Sequence, residues 1–295
     1  MFHPSKKLGQ NFLINKGIVD KIIVAAELSK DDTVLEIGPG KGALTEKLIE
    51  HAGRVIAVEY DRQLFELLKE KFKGVKNLEL INADILSLYP IPYTLYPNYK
   101  LIANIPYNIT GQIFRKFLSP PSLSLRAPYS GRGNLGIASA GKMPRNDAKK
   151  DNRPQMFVVM VQKEVGERLL GKKNRSILSL LADLYGKTEK VCDVSPGSFN
   201  PSPKVASMVV KIVASPSSLL PLAKGEEGWG MERKILHLAK IGFSSKRKKL
   251  VSNLSTGLKI GKDRIKEIFN KVGLNENARA EELSKDDWLK LAEII

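Results

Sequence analysis

The chain reads as an α/β protein, a mostly parallel sheet with helices on both faces, joined to a small all-helical C-terminal domain. Two patterns predict it. Over roughly the first two hundred residues apolar runs alternate with amphipathic stretches, the rhythm of βαβ units, and from Met231 onward only helical spacing remains. Lys16–Glu27 opens the series as a helix with Ile18, Ile22, Ile23 and Ala26 on one face. Strands are predicted at Thr33–Ile37, Arg54–Val58, Asn77–Ile81, Lys100–Ala103 and Met156–Val161, with helices at Ala43–His51, Asp61–Phe72 and Gln112–Leu118. Lys187–Asp193 and Val205–Val213 close the sheet as a strand pair joined by a proline-rich loop. Ser119–Asn152, rich in Ser, Pro, Gly, Arg and Lys and without periodicity, is read as a disordered or lid-like insertion. The predicted domains are therefore 1–214 for the sheet, carrying the insertion at 119–152, a Pro/Ser/Gly linker at 215–230, and 231–295 for the helices. Those helices are expected at Glu232–Ile241, Lys246–Leu254, Lys262–Val272 and Lys285–Ile294.

Composition narrows the function. With 295 residues, 42% of them hydrophobic, the chain can bury a core; 27% charged residues, and no apolar run near the ~18 residues of a membrane span, argue against an integral membrane protein. The start, Met1-Phe2-His3-Pro4-Ser5-Lys6-Lys7, has no apolar stretch behind its basic residues, so a cytoplasmic protein is expected. A single cysteine, Cys192, and three scattered histidines, His3, His51 and His237, offer neither a disulfide nor metal-ligand spacing, and no structural metal is expected. The 48 Lys and Arg against 31 Asp and Glu, a net charge of +17, point to a polyanionic partner, with RNA, DNA and anionic membrane surface all compatible.

Val34-Leu35-Glu36-Ile37-Gly38-Pro39-Gly40-Lys41-Gly42-Ala43 runs from a strand through a glycine turn into a helix. Glycines let backbone approach a ligand, and the helix start offers N–H groups to an anion. The spacing also fits the dinucleotide pattern G-x-G-x-x-A and a purely structural turn. Glu59, at the end of the next strand, stands where an acid accepts from both hydroxyls of a ribose. Asn82-Ala83-Asp84-Ile85 brings a carboxylate to the third strand end, where it can accept from an adenine amino group. Three strand ends at the carboxyl edge, where open α/β sheets bind ligands, point to a nucleoside-containing ligand. After the fourth strand comes Asn104-Ile105-Pro106-Tyr107. An amide, a turn stiffened by proline and an aromatic ring suit a planar, amino-bearing substrate, the bland alternative being an Asn-capped turn with Tyr in the core.

These residues resemble the class I S-adenosylmethionine-dependent methyltransferases that act on adenine N6. More narrowly, Gln10-Asn11-Phe12-Leu13, Phe199-Asn200-Pro201-Ser202-Pro203-Lys204-Val205 and Arg279-Ala280-Glu281-Glu282-Leu283-Ser284 are similar to motifs of the ribosomal RNA adenine dimethyltransferases, in a likeness spanning nearly the whole chain except the insertion. The resemblance implies a Rossmann-like methyltransferase sheet and S-adenosyl-L-methionine as cofactor. It implies methyl transfer to N6 of two adjacent adenines near the 3′ end of small-subunit (16S) rRNA, giving N6,N6-dimethyladenine, within an assembling ribosomal subunit held partly by the last helices. By the same resemblance Asn11 and Leu13 close over the cofactor, Gly38 and Gly40 line its methionine part, Glu59 holds the ribose, Asp84 reads the adenine, and Asn104 sits between the two adenines. A monomer without metal or membrane contact is expected.

In the implied chemistry, Asn104 and the carbonyls of Ile105 or Pro106 take the hydrogens of a weakly nucleophilic amine and aim its lone pair at the sulfonium methyl, with no strong base. Tyr107 on one face and Phe199 on the other replace the stacking lost by the extruded base. Lys246, Arg247, Lys248 and Lys249 are read as the cationic start of a helix that contacts RNA phosphates. Four features depart from the family pattern: Ala206 where Asp is frequent, Thr110-Gly111 in place of a small polar residue and Pro, Lys246 where Arg is common, and the additional segment Ser119–Asn152. The competing readings are a large-subunit rRNA adenine methyltransferase of the macrolide-resistance type, a non-catalytic assembly or RNA-binding factor, and a nicotinamide dehydrogenase.

Overall fold

The computed structural model describes residues 10–88, 99–119, 153–171, 175–214 and 227–295. The expected insertion, apart from Ser119, and residues 215–226 of the expected linker lie outside the described residues. In β2 (Thr33–Ile37) both faces are apolar, with Leu35 and Ile37 entering one core and Val34 the other. The alternation repeats in β3 (Arg54–Glu59) and in β6 (Met156–Gln162), where Phe157, Val159 and Val161 oppose Met156, Val158 and Met160. Strands apolar on both faces are those of a parallel sheet covered by helices on each side.

Seven strands form that sheet in the order β4 (Leu78–Asn82), β3, β2, β5 (Tyr99–Asn104), β6, β9 (Ser207–Ala214), β7 (Gly186–Val194). The first five are parallel, and β9 runs antiparallel between β6 and β7. Helices α1 (Lys16–Ala26) and α2 (Ala43–His51) cover one face; α4 (Thr110–Leu118), α6 (Ile177–Tyr185) and the C-terminal helices cover the other. The predicted α/β class is the observed one. From β2 the chain winds outward through β3, α3 (Arg62–Lys71) and β4, then returns to β5 on the opposite side of β2. Crossovers run apart at that reversal and leave a crevice at the carboxyl ends of β2 and β5.

Local chemistry fixes the elements beside the crevice. Asn15 caps α1 by accepting the Ile18 N–H at 3.3 Å. The other end of α1 is closed by the buried Lys100 ammonium, which donates to the carbonyls of Ala26 and Glu27 at 3.1 and 2.7 Å and pairs with Asp32 at 3.0 Å. A cation belongs there because the last carbonyls of a helix are unsatisfied and carry its negative pole. Asp61 caps α3 by accepting the N–H groups of Gln63 and Leu64.

Four features differ from the sequence reading. Helices α5 (Lys163–Leu169) and α6 were not predicted: α5 is short and follows β6 without a break, and α6 is buried around most of its circumference, so it shows no polar stripe. A two-stranded ribbon, β1 (Phe12–Leu13) with β8 (Phe199–Asn200), is too short for any periodicity to reveal. Helix α7 (Glu227–Gly242) starts inside the expected linker. Finally, Lys246–Lys248 precede α8 (Leu250–Leu258) as a turn, with Lys249 at its N-cap, instead of forming its first turn. Asn253 is the reason: its buried amide donates to the carbonyls of Gly242 and Ser245 at 2.6 and 3.0 Å, which holds the chain in a turn.

Two further helices, α9 (Lys262–Val272) and α10 (Lys285–Ile294), complete this segment around Trp288. It shares a hydrophobic core with the sheet through Ile235, Leu236 and Ala239 beside Leu181 and Tyr185. At the junction the buried Arg153 donates to Glu232 at 3.1 Å and to the Leu118 carbonyl at 3.3 Å, with its guanidinium over the Tyr185 ring. The Arg279-to-Ser284 motif is a local joint: Arg279 and Glu282 close a short turn on each other and Ser284 caps α10.

Candidate active site

A cleft opens at the reversal of strand order. Asn11, Leu13, Gly38, Gly40, Glu59, Asn104, Ile105, Pro106 and Tyr107 all line it. Gln10, Phe12, Glu36, Pro39, Lys41, Ala43, Leu44 and Leu64 line it too and were not singled out from the sequence. Glu36 carried a readable signal, a carboxylate inside the apolar run Val34-Leu35-Glu36-Ile37.

Gly38, Gly40 and Gly42 have φ of 67°, 62° and 80°, a region side chains disfavour. Their N–H groups turn inward. Gly38 donates to the Val58 carbonyl at 3.0 Å, Gly42 to Pro39 at 2.9 Å, and Gly40 to Oε2 of Glu59 at 3.1 Å. A dinucleotide-binding turn needs such amides for a pyrophosphate; here all three are already engaged. Glu59 also accepts the Asp61 N–H on Oε1 at 2.8 Å, and each of its oxygens keeps a further lone pair. Burial pushes its carboxyl above the usual range, against the pull of these backbone N–H groups. Glu36 is pushed further, from 4.5 to about 8, by burial and by the nearby Glu59 charge, although Thr45 donates to it at 2.7 Å. With Glu36 holding its proton below about pH 8, Glu59 is the acid of this wall left to meet a ligand.

Across the mouth runs the β1 segment. Gln10 donates to Asp61 at 2.9 Å, and the Phe12 ring lies against Gly40, where a Cβ would come within 3.0 Å of it. The Lys41 ammonium sits 5.0 Å from the centroid of the same ring. The Asn11 carbonyl accepts the Asn104 side-chain N–H at 3.1 Å. That bond orients the amide. With Nδ2 committed, Oδ1 is the face of Asn104 left to accept, and among the described residues nothing donates to it.

The two backbone carbonyls expected to assist Asn104 are not equivalent. Pro106 O accepts the Ile109 N–H and the Thr110 hydroxyl, both at 3.2 Å, so it is spent on the start of α4. Thr110, a departure from the family pattern, is one of the groups that consumes it. Ile105 N–H donates to Met160 O at 3.3 Å, and the Ile105 carbonyl receives no donor from the described residues. Tyr107 is half-buried, its phenol raised by burial and its hydroxyl 2.5 Å from that of Ser207.

Two expected site residues fall elsewhere. Phe199 is 4% exposed and packs with Leu13, Ile18 and Val194 in the core below the β1/β8 ribbon, so it does not line the cleft as a second stacking face. Pairing β8 with β1 turns this ring inward. Asp84 stands just beyond the Glu59–Asn82 pairing, outside the cleft lining, with Oδ1 taking the Leu86 N–H at 2.8 Å and Oδ2 the Ser87 hydroxyl at 3.1 Å. In the helical segment, Lys246, Arg247, Lys248 and Lys249 are exposed, and among the described residues none faces a carboxylate partner; Lys249 donates to the Asn277 side chain at 2.6 Å.

A sequence profile described as ribosomal RNA adenine dimethylase matches residues 1–295. The chain belongs to this family. Among similar members is the ribosomal RNA small subunit methyltransferase A of Dehalococcoides mccartyi strain CBDB1, 39% identical over 294 residues, 97% of this chain and 86% of that protein. The crystal structure of a dimethyladenosine transferase from Plasmodium falciparum superposes with a TM-score of 0.68 at 29% identity, covering 95% of each chain. That of the 23S rRNA methyltransferase ErmE gives 0.67 at 25% identity, over 96% of this chain and 98% of that one. As a ribosomal RNA adenine dimethylase the chain is an enzyme, and the nicotinamide reading is excluded. Among the described residues no cluster of His, Cys, Asp and Glu could hold a metal, and no helix is long and apolar enough to cross a membrane.

Proposed function

We propose that this enzyme transfers methyl groups from S-adenosylmethionine to N6 of two adjacent adenines near the 3′ end of small-subunit rRNA, in the cytoplasm, on an assembling subunit. The observation that carries the reading is the cleft's chemistry: glycine amides turned inward, the buried Glu59 with acceptor capacity to spare, and a side-chain amide held with its oxygen free. The cofactor fits that donor set. It is a cation with a ribose diol and an amino-bearing ring, and it carries no phosphate for the engaged amides to bind. Glu59 would hold the ribose hydroxyls, Asn11 and Leu13 would close over the ligand, and Gly38 and Gly40 would line its methionine part; Asp84, outside the cleft lining and accepting from Leu86 and Ser87, is given no contact. Bound there, the cofactor supplies an electrophilic methyl group.

The protein's own part is acceptance and alignment. An exocyclic adenine amine is a poor nucleophile because its lone pair is delocalised into the ring. Asn104 Oδ1 and the Ile105 carbonyl accept its two hydrogens, draw the nitrogen toward tetrahedral geometry and aim the lone pair into the cleft. As positive charge builds on nitrogen these dipoles grip harder, which stabilises the transition state above the ground state. Tyr107 supplies a stacking face for the extruded base. Lys246, Arg247, Lys248 and Lys249 would contact RNA phosphates. The small subunit is favoured over the large by the printed name of the 39%-identical relative. Purified protein incubated with labelled cofactor and undermethylated ribosomal subunits, then digested to nucleosides for mass spectrometry, should yield dimethyladenine from small-subunit RNA. Label confined to large-subunit RNA would refute the assignment.

A further inference from the structure

Ser207 opens β9 with 0% exposure, at the carboxyl edge of the sheet and two strands from β5. Its backbone is fixed on both sides, in register with Gln162 of β6 and Val194 of β7. Its hydroxyl meets that of Tyr107 across 100 residues of sequence. The Tyr107 side chain thus reaches over the end of β6 and is hydrogen-bonded at its tip to a buried residue paired with strands on both sides, while Tyr107 itself lines the cleft. We propose that Ser207 is a positioning residue for the second methyl transfer: by fixing the Tyr107 ring it sets the plane against which the monomethylated adenine lies. The proposal rests on the function given above.

The argument is a count of hydrogens. In each transfer the nitrogen lone pair forms the N–CH3 bond as the S–CH3 bond breaks, the bonding pair stays on sulfur, and one N–H proton leaves to water. An unmethylated amine presents two hydrogens, one for Asn104 Oδ1 and one for the Ile105 carbonyl. A methylamine presents one. With an acceptor idle, its orientation depends more on the stacking wall, and a ring free to tilt costs the second transfer more than the first.

Ser207→Ala removes the pin from the strand side and Tyr107→Phe removes it from the ring side without touching the sheet. Each variant, the double variant and the parent are followed through a time course with saturating cofactor and undermethylated small subunits, with monomethyl- and dimethyladenine quantified by mass spectrometry. Calorimetry with the cofactor confirms that the cleft is folded. The expected result is accumulation of monomethyladenine, with the second transfer slowed about fivefold relative to the first, the worth of one hydrogen bond, and no further loss in the double variant. A parental product ratio in both single variants, or additive losses in the double, overturns the proposal. Absence of dimethyladenine from the parent itself would instead overturn the function on which it rests.

Discussion

The two walls of the cleft are built by different means. The wall after β2 and β3 is backbone: three glycines at positive φ whose N–H groups close on Val58, Glu59 and Pro39, all within one βαβ unit. In the wall after β5 the two side chains are each tied by one hydrogen bond to a distant segment, Asn104 to Asn11 across 93 residues and Tyr107 to Ser207 across 100. A locally closed wall keeps its shape whatever the rest of the chain does. A remotely tied wall depends on two other segments, the β1 segment and β9. On the proposed function this division has a use, since the cofactor wall meets the same ligand at every turnover while the substrate wall must take first an amine and then a methylamine.

The sharpest way to separate the walls is Asn104→Ala. Methyl transfer should fall on the order of 10²- to 10³-fold, as on removal of one oriented polar group from a reacting centre, while RNA affinity is largely kept. Rates and filter binding on the same preparation measure both; unchanged transfer would remove Asn104 from the mechanism. Replacing Lys246, Arg247, Lys248 and Lys249 together with Ala touches neither wall. RNA affinity should drop on the order of 10- to 100-fold at low salt, and the slope of log affinity against log salt should flatten by up to roughly 3, with cofactor affinity unchanged.

Gly40→Ala attacks the cofactor wall, placing a Cβ at φ +62° and 3.0 Å from the Phe12 ring. Cofactor affinity should weaken about tenfold by calorimetry, and RNA affinity should not change. The smallest effect concerns Glu36. Its carboxyl titrates near 4.5 when unfolded and near 8 in the fold, so the native state holds the extra proton between those values. Stability from this group is full below about pH 4.5 and is lost as pH rises through 8. Thermal unfolding of the ligand-free protein should therefore show a falling Tm over that window. Glu36→Gln should flatten the fall, leaving a residual slope from Glu59, and raise Tm by a few degrees at pH 8. An equal pH slope in parent and variant would show that Glu36 is ionised throughout.

What was legible in the sequence follows the same division. The strand at Thr33–Ile37, the helix at Ala43–His51 and the glycine turn between them were readable because alternation, helical spacing and left-handed turns are set by neighbours in the chain. Asn104 and Tyr107 were readable as residue types after a strand, but not by what holds them. Phe199 was misread because an aromatic beside prolines has no intrinsic direction until β8 pairs with β1. The four cations were misread as a helix start because a buried amide donating to two carbonyls outweighs local helical spacing.

By itself, then, the sequence determined the α/β class, the family, the order along the chain of the seven sheet strands and of the helices between them other than α5 and α6, and which residue types stand at the strand ends. Only the tertiary structure decided that the glycine amides face inward, that Asn104 offers its oxygen and not its nitrogen, that the Pro106 carbonyl is spent while that of Ile105 is open, and that Tyr107 is pinned by Ser207. Periodicity and turn propensity are properties of adjacent residues. The direction of a hydrogen bond is fixed only when the partner arrives, and here the partners of Asn104 and Tyr107 lie about a hundred residues away.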